Sequence, residues 1–236
     1  LEAGRYEKLT FDWVAYDPDR VPAEVEFWKN GVKSMPCRWR RAKYHDKVVR
    51  AYQQDTDAPA LSNHSGVIVS LTTFPPRISQ LHLMLKSILW QTCPPEKIIV
   101  WLSELEFPGR LNDLPEELKT LMAKGIEFRF VSENFRSHKK YHYVFREYPD
   151  SKVITVDDDL IYPRNTVERL LTLSYQYPDT VCGNVIRKIH MDGNSFSVYR
   201  KWAKVFTMPV NSSLQNVAIG CGGVFFPPPW DGEGVF

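Results

Sequence analysis

Three short runs of mostly β-branched residues constrain this chain more than any other feature. They are Val67-Ile68-Val69-Ser70-Leu71, Lys97-Ile98-Ile99-Val100-Trp101-Leu102 and Lys152-Val153-Ile154-Thr155-Val156. Each is nearly continuous in apolar character rather than alternating, which is the pattern of a strand covered on both faces of a parallel sheet. Between the runs the spacing turns helical. Leu81, Leu83, Met84, Leu85, Ile88 and Leu89 predict one helix, Leu118, Leu121 and Met122 a second, and the stretch from Tyr141 to Tyr148 a third. Strand, helix, strand, repeated, predicts an α/β fold with a mostly parallel, doubly wound sheet flanked by helices.

Upstream of Gly66 the texture differs. Residues 1–62 read as a polar, aromatic N-terminal extension that ends in the linker-like stretch Gln53 to Ala60, and residues 63–236 read as one domain. With 236 residues the chain is long enough for a full α/β core. A formal charge of only +2 gives no overall field for a polyanion, so no nucleic-acid partner is expected. Cys37, Cys93, Cys182 and Cys221 are scattered with no CxxC pair, which fits reduced thiols better than a zinc site or a disulfide framework. No stretch reaches the run of about 18 apolar residues that crosses a bilayer. These features set the expected location as cytoplasmic.

In open α/β sheets, ligands bind beyond the carboxyl ends of the strands, so the residues just after each apolar run are the informative ones. The third run leads straight into Asp157-Asp158-Asp159. If the chain stays extended, residues two apart point to one side, so Asp157 and Asp159 converge while Asp158 faces away. Adjacent carboxylates at the mouth of a buried strand repel one another unless a cation or hydrogen bonds compensate them. Oxygen ligands of this kind suit Mn2+ or Mg2+. Helix capping is the competing reading, but Asn165-Thr166-Val167-Glu168 already carries a capping-box signature for the next helix.

The first run is followed by Thr72-Thr73-Phe74-Pro75-Pro76-Arg77. The prolines shape the loop, Phe74 offers a stacking face, and Arg77 suits phosphate or carbonyl groups. A simple strand-to-helix turn is the alternative. Neither GxGxxG nor GxxxxGK[ST] occurs, which disfavours a dinucleotide fold and excludes a P-loop NTPase.

Taken together, several segments in order carry a resemblance. They are Ser70 to Ile78, Ser87 to Thr92, Lys97 to Leu102, Lys139-Lys140-Tyr141, Val156 to Pro163 and Gly220 to Pro227. The chain from Gly66 to Pro228 resembles bacterial glycosyltransferases of the GT-A fold, of the sort found in capsule and lipopolysaccharide gene clusters. The resemblance implies a GT-A-like, Rossmann-related sheet and a DxD-type site in which Asp157 and Asp159 hold a divalent cation. It also implies that Thr72, Thr73, Phe74, Pro75 and Arg77 recognise the nucleotide, and that Lys139 and Lys140 lie near the donor phosphates. Asp158 belongs to the same donor-binding segment, and Gly222 and Gly223 to the sugar or acceptor pocket. From the residues alone, Lys139 and Lys140 read first as a solvated helix start, and a bend before Pro227-Pro228-Pro229 is as open for the glycines as a ligand contact.

The resemblance also implies a further acidic motif with a nearby Trp downstream of Gly222-Gly223. This chain ends at Phe236, and reads as C-terminally truncated; Asp231 and Glu233 are the stand-in catalytic candidates. The basic stretch Lys33 to Arg50 reads first as a solvated helix face and second as a peripheral contact with the inner face of a membrane. His138 and His142 lack a third ligand at zinc spacing. The expected activity is transfer of a sugar from a nucleoside-diphosphate sugar to a hydroxyl on a glycan or lipid-linked acceptor, in surface polysaccharide synthesis. An inactive nucleotide-sugar or glycan-binding module and a sugar-nucleotide nucleotidyltransferase are the competing functions.

Overall fold

The computed structural model describes residues 48–61, 65–205 and 213–229. Its centre is β1 (Val67–Thr72), in which alternate side chains serve two different cores. Val67, Val69 and Leu71 join the larger core, while Ile68 joins the smaller one on the opposite face. The same alternation runs through β2 (Lys97–Ser103) and β4 (Lys152–Thr155), with Ile99, Trp101 and Val153 on the smaller side. Coverage of both faces is the reason these runs are continuously apolar.

The larger core is closed by helices α1 (Leu81–Leu89), α2 (Glu116–Met122) and α4 (Thr166–Gln176). Leu81, Met84, Leu85, Ile88, Leu118, Val167 and Leu170 are all essentially buried there. Among the described residues, α3 (Lys139–Glu147) supplies the helical cover of the smaller core, through Val144 and Phe145.

The expected fold class is observed. A six-stranded sheet runs in the order β3-β2-β1-β4-β11-β5, where β3 is Ile126–Val131, β5 is Cys182–Gly183 and β11 is Val224–Phe226. The pairs β3–β2, β2–β1 and β1–β4 are parallel, and β11 is antiparallel to both β4 and β5. A long excursion leaves the sheet between β5 and β11. It holds β6 (Ile186–Lys188), the hairpin β7 (Met191–Asp192) and β8 (Ser195–Phe196), β9 (Ala203–Val205) and β10 (Asn216–Ala218). Strands β10, β6 and β9 form a small sheet of their own.

Two expectations need correction. The stretch read as a linker is docked: Ala58 is buried in the larger core, Leu61 N donates to Lys124 O at 2.8 Å, and Trp90 Nε1 donates to Asp55 Oδ2 at 2.6 Å. Apolar contact and hydrogen bonds with Lys86 of α1, with Trp90 just past it and with Lys124 after α2 hold it, despite its polar composition. The capping box before α4 does not form either. Asn165 stands at the cap position without a side-chain cap bond, and Val167 N instead donates to Gln91 Oε1 at 2.9 Å. Glu168 instead accepts from Thr92 Oγ1 at 2.7 Å, so Gln91, just past the end of α1, supplies the cap and Thr92 holds the glutamate away from it.

Candidate active site

The chain passes from β1 to β2 to β3 on one side, then returns to place β4 on the other side of β1. The carboxyl ends of β1 and β4 therefore flank the point where the winding reverses, which is where a crevice opens in such sheets. The loop Thr72 to Arg77 leaves one strand there, and Asp157 to Asp159 leaves the other.

The two loops are bonded to each other. Thr73 Oγ1 donates to Asp158 Oδ2 at 2.6 Å, and Arg77 Nη1 donates to Asp158 Oδ1 at 2.6 Å. The same guanidinium nitrogen lies 3.1 Å from Asp159 Oδ2. Pro75 and Pro76 form a single 3-10 turn with Arg77, and this turn aims the guanidinium back across the crevice. Phe74 stands outward, 36% exposed, with the Arg77 guanidinium 5.2 Å from its ring centroid. Thr72 faces the other way and donates to Trp101 O at 2.7 Å.

The extended geometry assumed for the three aspartates does not hold. Strand β4 stops at Thr155, and Asp158-Asp159 form a turn. Asp158 and Asp159 consequently share Arg77, while Asp157 points to Lys140, whose Nζ lies 2.5 Å from Asp157 Oδ1. The turn is fixed from below by fully buried Tyr162, whose phenol oxygen accepts from Asp157 N at 2.8 Å. Burial first, then the nearby Asp157 carboxylate, push the Tyr162 phenol well above its ordinary value, so it stays neutral.

Lys140 is itself almost fully buried. Burial alone would lower its ammonium, but Asp157, with Tyr141 and Asp158, leaves it above the usual 10.5. Its backbone is held by β1: Ser70 Oγ donates to Lys140 O at 2.7 Å while accepting from Trp101 Nε1 at 3.0 Å. Lys139 is spent elsewhere. Its Nζ is buried between Glu106 Oε2 and Asn134 Oδ1, each at 3.0 Å, and so ties the loop after β2 to the loop after β3.

The antiparallel strand β11 brings a third wall. Val224 pairs with Thr155, so the turn Gly220–Gly222 lies at the carboxyl end of β4. A Cβ on Gly220 would meet Asp157 Oδ1 at 3.0 Å, and the backbone therefore lies close against that carboxylate. Gly222 is buried and its carbonyl accepts from Asn184 Nδ2 at 3.1 Å. Gly223 adopts φ +71, where other residues are strained, and packs against Leu170. Gly220 and Tyr162 lie inside the motifs the sequence presents, yet only the structure assigns them contacts. Asp231 and Glu233 lie outside the described residues, as does Lys33 to Lys47 of the basic stretch.

The site thus gathers three carboxylates against two cations. Burial pushes the Asp159 carboxyl above its usual 3.8; Arg77 opposes this, while Asp158 and Asp157 add to it. Among the described residues no group of three or more ligating side chains converges as a metal cage. Mn2+ and Mg2+ commonly use one or two carboxylates and complete their shell with water and phosphate oxygens. Here Asp157 already faces Lys140 and Asp159 faces Arg77, and three carboxylates against two cations leave one formal negative charge over.

No family model and no curated protein matches the sequence. Among solved structures, similarity is found to a mannosyltransferase, PcManGT from Pyrobaculum calidifontis, in complex with GDP-Man and Mn2+. The identity is 15%, the TM-score 0.40, and the match covers 75% of this chain and 46% of that one. This chain therefore spans less than half of that structure's length.

Proposed function

We propose that this chain is a glycosyltransferase that moves a sugar from a nucleoside-diphosphate sugar to a hydroxyl on a glycan or lipid-linked acceptor. The observation that carries the reading is the junction of two loops at the reversal point of the sheet, where Thr73 and Arg77 meet Asp158 and Asp159. Phe74 gives the nucleotide base an exposed ring, and Lys140 sets a buried positive charge beside the diphosphate. Asp157 and Asp159 are the ligands assigned to Mn2+ or Mg2+, which when bound neutralises charge on the departing diphosphate. In the reaction the bond from the anomeric carbon to the diphosphate oxygen breaks, and a bond to the acceptor oxygen forms. The acceptor proton passes to a base, for which Asp231 and Glu233 remain the candidates. Fixed charges that need no reorientation as the leaving group develops its charge are an effective source of rate.

Synthesis of a surface polysaccharide at the inner face of a membrane is the setting we assign to this activity. A second reading, a binding module without turnover, is favoured by one observation: Arg77 and Lys140 already compensate much of the acidic charge. Calorimetry with Mn2+ and a panel of nucleoside-diphosphate sugars, followed by a donor-hydrolysis assay, separates the two. Metal-dependent binding with hydrolysis supports the transferase; binding without hydrolysis supports the module; no binding of any donor overturns both.

A further inference from the structure

The excursion between β5 and β10 departs from the rest of the chain in charge and in polarity. Between Ile186 and Val205 it carries Arg187, Lys188, Arg200, Lys201 and Lys204 against Asp192 alone, a formal +4 in a chain whose total is +2. The remaining residues therefore sum to −2.

Its polarity is inverted as well. Ser197 is 6% exposed, whereas its neighbours Phe196 and Val198 are 71% and 60% exposed. Met191 pairs across the hairpin with Phe196, so the two share a face of the ribbon, and Met191 and Tyr199 are also exposed. A soluble surface loop ordinarily turns its small polar residue outward and its aromatic residue in. Here a rigid frame enforces the opposite. Ser197 N donates to His190 O at 2.9 Å, Trp202 Nε1 donates to Ser197 O at 3.0 Å, and Trp202 meets Tyr199 edge-on. Arg187 lies 4.4 Å over the Tyr199 ring and donates to Trp202 O at 3.2 Å. The apolar ridge is held out by design of its supports.

The geometry points to a lipid-docking surface: the ridge Met191, Phe196, Val198 and Tyr199 inserts at the headgroup boundary of an anionic membrane while Lys188, Arg200 and Lys201 meet headgroup phosphates. Exposed apolar side chains beside cations are the chemistry that binds such a surface. Lys188 and Arg200 have no ion pair among the described residues, and Lys201 is engaged by Asp192 at 2.9 Å. A second copy of the chain is the poorer occupant, since a two-fold interface would place +4 against +4. This inference does not rest on the proposed transferase activity.

Cosedimentation of the full chain with vesicles tests it. Vesicles of phosphatidylcholine with about a third phosphatidylglycerol are expected to bind the chain and pure phosphatidylcholine to bind it poorly, with loss of binding in high salt. Substitution of both Phe196→Ser and Val198→Ser is expected to lower partitioning by at least roughly tenfold. Lys188→Gln and Arg200→Gln are each expected to lower it roughly fivefold. Thermal melting of each variant, unchanged because these side chains are exposed, separates a lost surface from a lost fold. Equal binding to neutral and anionic vesicles, or unchanged binding by the Phe196→Ser, Val198→Ser chain, overturns the proposal. So does a dimer in sedimentation equilibrium that those two substitutions abolish, because the ridge would then belong to a second copy.

Discussion

Thr73 Oγ1 donates to Asp158 Oδ2 at 2.6 Å, joining two loops that lie 85 residues apart in the chain. Because Asp158 is only 7% exposed, water is poorly placed to replace that donor. Thr73→Val keeps the shape and removes the hydroxyl, and is expected to cost about 1–3 kcal/mol of stability. Thr73→Ser restores it. Urea unfolding of the two variants checks the claim; equal stability of Thr73→Val and wild type would show that the bond contributes nothing.

Arg77 serves two carboxylates from one nitrogen, at 2.6 and 3.1 Å. A lysine ammonium is a compact point charge on a flexible stem and does not reproduce a planar guanidinium braced by a proline turn. Arg77→Lys is therefore expected to weaken nucleoside-diphosphate binding by roughly tenfold or more, the scale of one lost charge-assisted hydrogen bond. Isothermal titration in the presence of Mn2+ reads the change, and a Kd within twofold of wild type would contradict it.

The three aspartates are expected to separate by role. Asp159→Asn removes an assigned cation ligand, and Asp157→Asn removes the other, so Mn2+-dependent donor binding falls in both, as it does with chelator. Asp158→Asn instead loosens the loop junction, and its main effect is expected on melting temperature. Parallel Mn2+ titrations and melts of the three variants decide this. Equal loss of Mn2+ affinity across all three would assign Asp158 to the cation as well.

Two neighbouring glycines make opposite predictions. An alanine Cβ at position 220 meets the end of the Asp157 carboxylate at 3.0 Å, whereas one at 223 forces φ +71 on a non-glycine and presses Leu170 at 3.2 Å. Gly220→Ala should reduce donor affinity with little effect on stability. Gly223→Ala should cost about 1 kcal/mol or more of stability through the backbone alone. Comparing binding and melting for the pair tests the assignment of Gly220 to the site wall.

On the far edge of the sheet, Glu127 gives a pH dependence. Burial would raise its carboxyl, but hydrogen bonds from Lys97 and Arg129 outweigh burial and hold it below its ordinary 4.5. A depressed carboxylate contributes stability above the ordinary value and loses it as pH falls through the lower folded value. The melting temperature should therefore fall with pH below about 4.5. Glu127→Gln should flatten that acid limb, and an unchanged limb would remove Glu127 from the account.

The parallel core was legible because burial on both faces leaves an unmistakable apolar run, as in Val67 to Leu71. Strand β3 was not, since Glu127 and Arg129 alternate with Ile126 and Phe128 on a strand at the sheet edge. That the proline loop and the aspartates come together followed from their places at strand ends. Their orientation did not, because it depends on where β4 stops and on Tyr162 and Arg77, which reach the turn through tertiary contacts. The cap of α4 failed to read out for the same reason: Gln91 supplies it from 76 residues upstream.

The placement of β11 between β4 and β5 has a consequence for synthesis. Strands β2 and β3 pair with near neighbours in sequence and β1 does so on one edge, whereas the outer edge of β4 has no partner until Val224 to Phe226 emerge. During that interval Val153 and Ile154 present an open, apolar edge, the kind that templates pairing with another nascent chain. The aspartates that follow at 157 to 159 place repelling charge at the end of that edge. Charges flanking an unavoidable hydrophobic strand act as gatekeepers against aggregation. Neutralising the acidic turn should therefore lower the soluble yield of the newly made protein.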